Sequence, residues 1–181
     1  MILQEIPQLL TPAESVDLQR SVVDSLRDQS LDSDDFDFDR THVFNHILAK
    51  LLEYRLRSTL DTMMPGKECY VHPSFAYTRY NREGHLGFHR DGHKIENGAR
   101  SVASLLLYLN CDFAGGQTEF EDRVVQPETG KGLLLPQDVL HRAAPVLAGT
   151  KYLIRTDVMV KDLTMHHDRA KTEKLYATLF S

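Results

Sequence analysis

At Pro65-Gly66 the sequence changes its period, and that change limits the folds open to the chain. Ahead of it, apolar residues recur at helical spacing. Behind it, short stretches rich in β-branched, aromatic and leucine residues alternate with glycine, asparagine and proline. The segments CYVHPSFAYTRY, VASLLLYLN, GQTEFE, VVQPE, GKGLLLP, APVLAG and KYLIRTDVMV all read as strands or turns. Many short strands at this density suit a sandwich or a barrel. Helices flanking such a core make an α+β domain.

The helical part is expected over about 11–64, after a short strand or extended lead-in at 2–10. Thr11 suits an N-cap, Pro12 the first helical position, and Glu14 the capping-box position. Leu18, Val22, Val23 and Leu26 continue an apolar stripe. The acidic stretch LDSDDFDFDRTH reads as a solvated loop. A second helix is expected through VFNHILAKLLEYRLRSTLDTMM, where Phe44, Leu48, Leu52, Leu56 and Leu60 recur every four positions and Ile47 and Leu51 widen the stripe. The strand-rich core is expected over about 68–160, with a helical or loose tail at 162–181. No linker divides the chain, and 181 residues suffice for one domain with a sizeable core. A net charge of −5 argues against non-specific binding to nucleic acid or membrane. Cys69 and Cys111 are too few for a disulfide framework, so a reducing cytoplasm is the expected compartment. The N-terminus has no basic leader and no apolar run reaches membrane-spanning length.

FHRDGHK at 88–94 places His89, Asp91 and His93 within five residues. On an extended strand, alternate residues share a face, so His89 with Asp91 and Asp91 with His93 are equally good partial metal sites. A third ligand should come from another strand, and His141 is the candidate. Two histidines and a carboxylate occupy one face of an Fe(II) coordination sphere and leave positions open for co-substrate and oxygen. The same donor set also suits catalytic zinc. His42 and His46 stand one helical turn apart, but nothing else in the sequence supports a site there.

Four blocks, in order, carry a resemblance. TPAE precedes the first helix, and YNREGHLGFHRD contains the HxD pair. SLLLYLNCDFAGGQTEF joins a strand to a Gly-Gly-x-Thr-x-Phe turn. HRAAPVLAGTKY places a lysine ten residues after a histidine. Together they resemble the prolyl 4-hydroxylase-like 2-oxoglutarate/Fe(II)-dependent oxygenases over most of residues 5–160. The resemblance implies a double-stranded β-helix (a cupin-like jelly roll) with the N-terminal helices packed on its outer face. It implies His89, Asp91 and His141 as metal ligands and catalytic centre. Lys151 would bind the distal carboxylate of 2-oxoglutarate, flanked by Tyr80, Tyr108 and Thr118, and Arg155 on the same strand is the alternative anchor. Ser104, Leu106 and Tyr108 would look into the barrel. His93 and His85 would lie at the pocket rim or outside it. Leu86 and Ser101 depart from the family pattern, where an aromatic residue and an arginine are usual.

The activity implied is an Fe(II)- and 2-oxoglutarate-dependent dioxygenase that consumes molecular oxygen and releases succinate and CO2, with ascorbate as a candidate reductant. It would hydroxylate an unactivated C–H bond of a small molecule, such as an amino acid or a natural-product intermediate. A peptidyl, prolyl-type hydroxylase is the alternative within the class. A non-catalytic metal-binding cupin-type barrel is the alternative outside it. The sequence shows no separate peptide-binding domain, which favours the small molecule.

Overall fold

Thr11 closes the first helix as its sequence predicts. Its amide donates to the Glu14 carboxylate at 2.8 Å, and the Glu14 amide donates back to the Thr11 hydroxyl at 3.2 Å. The computed structural model describes residues 3–27 and 38–161. Most of the acidic stretch and the whole tail at 162–181, with its His166-His167 pair, lie outside the described residues.

In chain order the elements are β1 (Gln4–Ile6), α1 (Pro12–Arg27), β2 (Asp39–Phe44), α2 (His46–Met63), β3 (Cys69–Val71), β4 (Ser74–Tyr80), β5 (Leu86–His89), β6 (Ile95–Glu96), β7 (Ala99–Tyr108), β8 (Ala114–Gly115), β9 (Thr118–Phe120), β10 (Val124–Val125), β11 (Gly132–Pro136), β12 (His141–Ala143), β13 (Val146–Ala148) and β14 (Lys151–Lys161). The large sheet runs β1-β11-β7-β14-β4-β2, with β3 added to β14 and β6 to β7. The small sheet runs β10-β9-β12-β5, and β13 pairs with β8. Every pairing is antiparallel.

Period-two alternation splits the large sheet into two apolar faces. Leu105, Leu107, Leu134 and Ile154 pack with Val22, Leu26, Leu52 and Leu56 of the two helices. Leu106, Tyr108, Leu133, Leu135 and Leu153 point the other way, against Phe120, Val125 and Val146. The result is the expected double-stranded β-helix, with helices on the outer face of the large sheet and the cavity between the sheets. No described helix is long and apolar enough to cross a membrane.

Two expectations need correction. Asp39–His42 is strand, not loop: β2 pairs with β4 from Asp39↔Arg79 to Phe44↔Ser74 and covers that edge. Asn45 then caps α2, accepting from the Leu48 amide at 2.9 Å, so the helix begins later than its apolar pattern suggests. Phe44 and Ile47 consequently leave the buried stripe and stand 69% and 86% exposed. His42 falls on a strand and His46 on a helix, so they are not neighbours on one helical face.

The helices are tied together by Arg55, which donates two hydrogen bonds of 2.8 Å to the Glu14 carboxylate and one of 2.9 Å to the Leu9 carbonyl. The Arg55 bond, and behind it the Thr11 amide, pulls the Glu14 pKa from 4.5 down to about 2. A carboxylate whose folded-state pKa lies below its unfolded value stabilises the fold above the unfolded pKa and loses that effect as pH falls through the folded one. The pair is about one-third exposed, so solvent screening keeps its contribution to about 1 kcal/mol. Denaturant melts of Glu14→Gln should show a loss of about that size at neutral pH and almost none near pH 2. An equal loss at both pH values would remove the ion pair as the cause.

Candidate metal centre

β12 lies between β9 and β5 in the small sheet, and its first residue pairs with both neighbours: His141 opposes Phe120 on one side and His89 on the other. The imidazoles of His89 and His141 consequently lie 4.3 Å apart, centroid to centroid. Asp91 follows two residues after the end of β5 and closes the group. Its Oδ1 is 3.7 Å from His89 Nε2, and its Oδ2 is 3.9 Å from His141 Nε2. One donor atom from each of the three residues lies within 4.8 Å of the others. His93 stays out: it turns to the Asp138 carboxylate, 2.9 Å away, at the pocket rim. His85 is exposed, with its Nδ1 on the Glu83 carbonyl.

Both clustered imidazoles have fixed tautomers. His89 Nδ1 donates to the Gly87 carbonyl and His141 Nδ1 to the Val139 carbonyl, each at 2.9 Å. Each Nε2 is left with its lone pair facing Asp91, the form a metal requires. Burial lowers the His141 pKa. The Asp91 contact raises that of His89. Burial pushes the Asp91 carboxyl upward, but His89, Arg155, Ser104 and His141 together outweigh it and hold the group ionised. Its Oδ2 is buried and accepts no hydrogen bond. An ionised, buried oxygen without a donor is costly unless a cation sits there, and the surrounding nitrogen and oxygen atoms suit a divalent transition metal.

The second polar group lies deeper, beyond the aliphatic wall of Leu106 and Leu153. Lys151 opens β14 and is 1% exposed. Its ammonium donates to the Gly116 carbonyl at 2.6 Å and lies 5.2 and 5.6 Å from the ring centres of Tyr80 and Tyr108. No described carboxylate pairs with it. Gly115 and Gly116 have φ of +76° and +64°, a conformation that brings the Gly116 carbonyl against the lysine and that glycine adopts without strain. Thr118 lines the cavity with Tyr80 and Lys151. Tyr108 does not line it: the fully buried phenol stands behind Thr118, 2.7 Å from its hydroxyl. Ser104 and Leu106 face inward on the same strand, as expected.

Arg155 adopts a different role from Lys151. It lies 3.3 Å from Asp91 Oδ1 and 3.2 Å from Asp157, and it donates to Ser104 at 2.9 Å. Gln137 bonds Asp157 at 3.1 Å, and Ser101 bonds Gln137 at 2.7 Å. This buried chain behind the metal cluster was not foreseen from the sequence. Its one visible signal is the alternation Lys151, Leu153, Arg155, Asp157 along one face of β14.

The sequence model of the 2OG-Fe(II) oxygenase superfamily matches residues 75–156, the stretch that holds His89, Asp91, His141, Lys151 and Arg155. That match assigns the strand-rich stretch at 75–156 to the 2OG-Fe(II) oxygenase superfamily. No curated protein sequence matches it. Solved structures with the same fold include the viral collagen prolyl hydroxylase of Paramecium Bursaria Chlorella virus-1 in its 2OG complex. That pair shares 16% identity, with 90% of this chain and 97% of that one covered, at a TM-score of 0.69. A Pseudomonas putida prolyl-4-hydroxylase gives 15% identity, 88% and 92% coverage and a TM-score of 0.65. HygX from Streptomyces hygroscopicus, with nickel, 2-oxoglutarate and hygromycin B bound, gives 14%, 89% and 83%, and 0.56. This oxygenase is a 2-oxoglutarate/Fe(II)-dependent dioxygenase, and its donor set and buried lysine fit that metal and that co-substrate.

Burial lowers the Lys151 pKa from 10.5 to about 7. The unfolded chain then binds more protons than the folded one between those values, so the stability of the ligand-free oxygenase should rise with pH across that interval. Lys151→Met keeps the bulk and removes the buried charge. Thermal melts of the metal-free protein should show a variant more stable than wild type at pH 7, with a flatter dependence up to pH 10. An unchanged slope would mean that Lys151 is solvated.

Proposed function

We propose that His89, Asp91 and His141 hold Fe(II), and that Lys151, with Thr118, Tyr80 and Tyr108 around it, binds the distal carboxylate of 2-oxoglutarate. The observation that carries this reading is the pairing of two unmet needs in one cavity. Asp91 presents a buried oxygen with no described donor, and some distance away Lys151 presents a buried ammonium with no described carboxylate. A dicarboxylate that also chelates a metal answers both. A pure metal-binding barrel would have no use for the second.

Bound Fe(II), with 2-oxoglutarate and oxygen, supplies the oxidising power for inserting oxygen into a C–H bond, with release of succinate and CO2. The chain's own part is positional. The Gly87 and Val139 carbonyls aim the two Nε2 lone pairs. Arg155 and Ser104 steady the Asp91 carboxylate. Lys151 holds the co-substrate end that takes no part in bond breaking. Leu86, Leu106 and Leu153 keep water from the cavity wall.

The prime substrate in this proposal is a small molecule. The cavity is about 760 Å³, within the ordinary size of a small-molecule site, and only five residues lie between Leu135 and His141, which leaves little chain for a peptide-gripping lid. The second reading, a peptidyl prolyl hydroxylase, is supported by two structural neighbours that are themselves prolyl hydroxylases.

Succinate formation from 2-oxoglutarate, screened against metabolites and peptides and followed by product mass, separates these readings. A product heavier by one oxygen atom from a metabolite supports the proposal, and one obtained only from prolyl peptides supports the second reading. Alanine at His89, Asp91 or His141 should abolish Fe(II)-dependent turnover, whereas His93→Ala should still bind the metal. Lys151→Ala should raise the Km for 2-oxoglutarate by about two to three orders of magnitude, the cost of leaving one member of a buried ion pair alone. Full activity in His141→Ala would reject the triad.

A further inference from the structure

The chain is acidic, yet its cavity is basic. Arg40, Arg90, Lys94, Arg142, Lys151 and Arg155 all line it, against Asp91 and Asp157. Three of those cations are already matched. Arg155 pairs with Asp91 and Asp157, Arg142 pairs with Glu119 at 2.6 Å, and Lys151 faces the co-substrate in the reading above. The other three have no carboxylate partner among the described residues. The Arg40 guanidinium bonds the Thr78 hydroxyl, at 3.3 Å, also hydrogen-bonds the Tyr80 phenol and stacks on Phe38, but meets no described carboxylate. Arg90 bonds only the Asp138 carbonyl, at 2.9 Å. The Lys94 ammonium bonds no described acceptor.

These groups come from two elements that meet at the cavity. Arg40 and His42 project from β2, and Arg90 and Lys94 flank Asp91 on the segment between β5 and β6. Their fields converge on His42, which burial, Arg40, Lys94 and Arg155 all keep neutral. Gathering unpaired cations in a partly enclosed cleft is unfavourable until an anion enters, and such a cleft raises the local concentration of anions. The metal-side wall differs: Leu86, Leu106 and Leu153 offer only aliphatic surface.

Resting on the oxygenase reading of the metal centre, we infer that Arg40, Lys94 and Arg90, with His42, form a subsite for an anionic group of the prime substrate. The substrate is a small organic anion, a carboxylate or phosphate monoester, whose aliphatic part extends toward the metal. An amine would enter a cleft in which no described carboxylate is free to receive it. A zwitterionic amino acid would gain at one end and lose at the other, so this inference favours a simple organic anion over the free amino acid that the sequence reading offered.

The test uses the full chain loaded with Zn(II), which is redox-inert, and 2-oxoglutarate. Binding is followed by calorimetry against straight-chain carboxylates, their primary amides, their amines, the matching alkyl phosphates and a single-stranded DNA oligonucleotide. At least one carboxylate or phosphate should bind about tenfold more tightly than its amide and amine, as a charge-assisted hydrogen bond in a shielded site implies, and less tightly at high salt. Whichever anion wins identifies the headgroup. Arg40→Ala and Lys94→Ala should each weaken that binding by about tenfold more than they weaken 2-oxoglutarate binding. The Lys94 variant guards against loss of packing around Phe38 in the other. If no anion outbinds its amide, or if neither variant responds, the subsite is wrong. Tight oligonucleotide binding lost in both variants, with no small anion bound, would overturn the small-molecule assignment. If 2-oxoglutarate fails to bind the Zn(II) protein while anion selectivity on that protein persists, the subsite stands and the co-substrate reading falls.

Discussion

The pairing of His141 with His89 across β12 and β5 is the constraint on which the site depends. The two residues lie 52 positions apart in sequence, and only the sheet register brings their rings to 4.3 Å. Because side chains alternate along a strand, a slip of one residue would turn His141 to the opposite face and present a neighbour instead. Phe120, opposite His141 on the other side, packs against it and helps to hold that register. The long β7–β14 pairing does the same for the far end of the cavity. It sets Leu153 against Tyr108, so that Lys151 arrives at the Gly116 carbonyl.

The charge arrangement leaves one unmatched group at each end of the cavity. Inside the barrel, Arg155 compensates Asp91 and Asp157, and Gln137, held by Ser101, donates to the same Asp157 oxygen. Among the described residues, Lys151 is left without an anion and Asp91 keeps one oxygen without a donor. Elsewhere in the fold comparable groups are matched: Glu14 has Arg55, Arg79 has Asp39 and Glu119 has Arg142. Unmatched charge at a few enclosed positions is the physical signature of a binding site.

Much of this was legible in the sequence, because it follows from local rules. Thr11 and Glu14 cap a helix by chemistry within four residues, and the alternation in SLLLYLN and YLIRTDV marks strands buried on both faces. The HxD spacing and the lysine ten residues after His141 survive as sequence patterns. What could not be read depends on partners distant in sequence. Asp39–His42 looks like loop because its pairing partner is β4, and Phe44 and Ile47 fit a helical stripe until Asn45 caps the helix after Phe44. Arg155 looked like a second candidate for the co-substrate. Only the fold shows that Asp91, Ser104 and Asp157 already hold it.

The most direct measurement is electronic absorption of the Co(II)-substituted protein under titration with 2-oxoglutarate. The account predicts that one Co(II) binds per chain, that 2-oxoglutarate changes its spectrum saturably, and that Asp91→Ala and His141→Ala each lose the Co(II) signal. A Co(II) spectrum that 2-oxoglutarate leaves untouched, or one that survives in either variant, would contradict the assignment of His89, Asp91 and His141 as a single open metal centre.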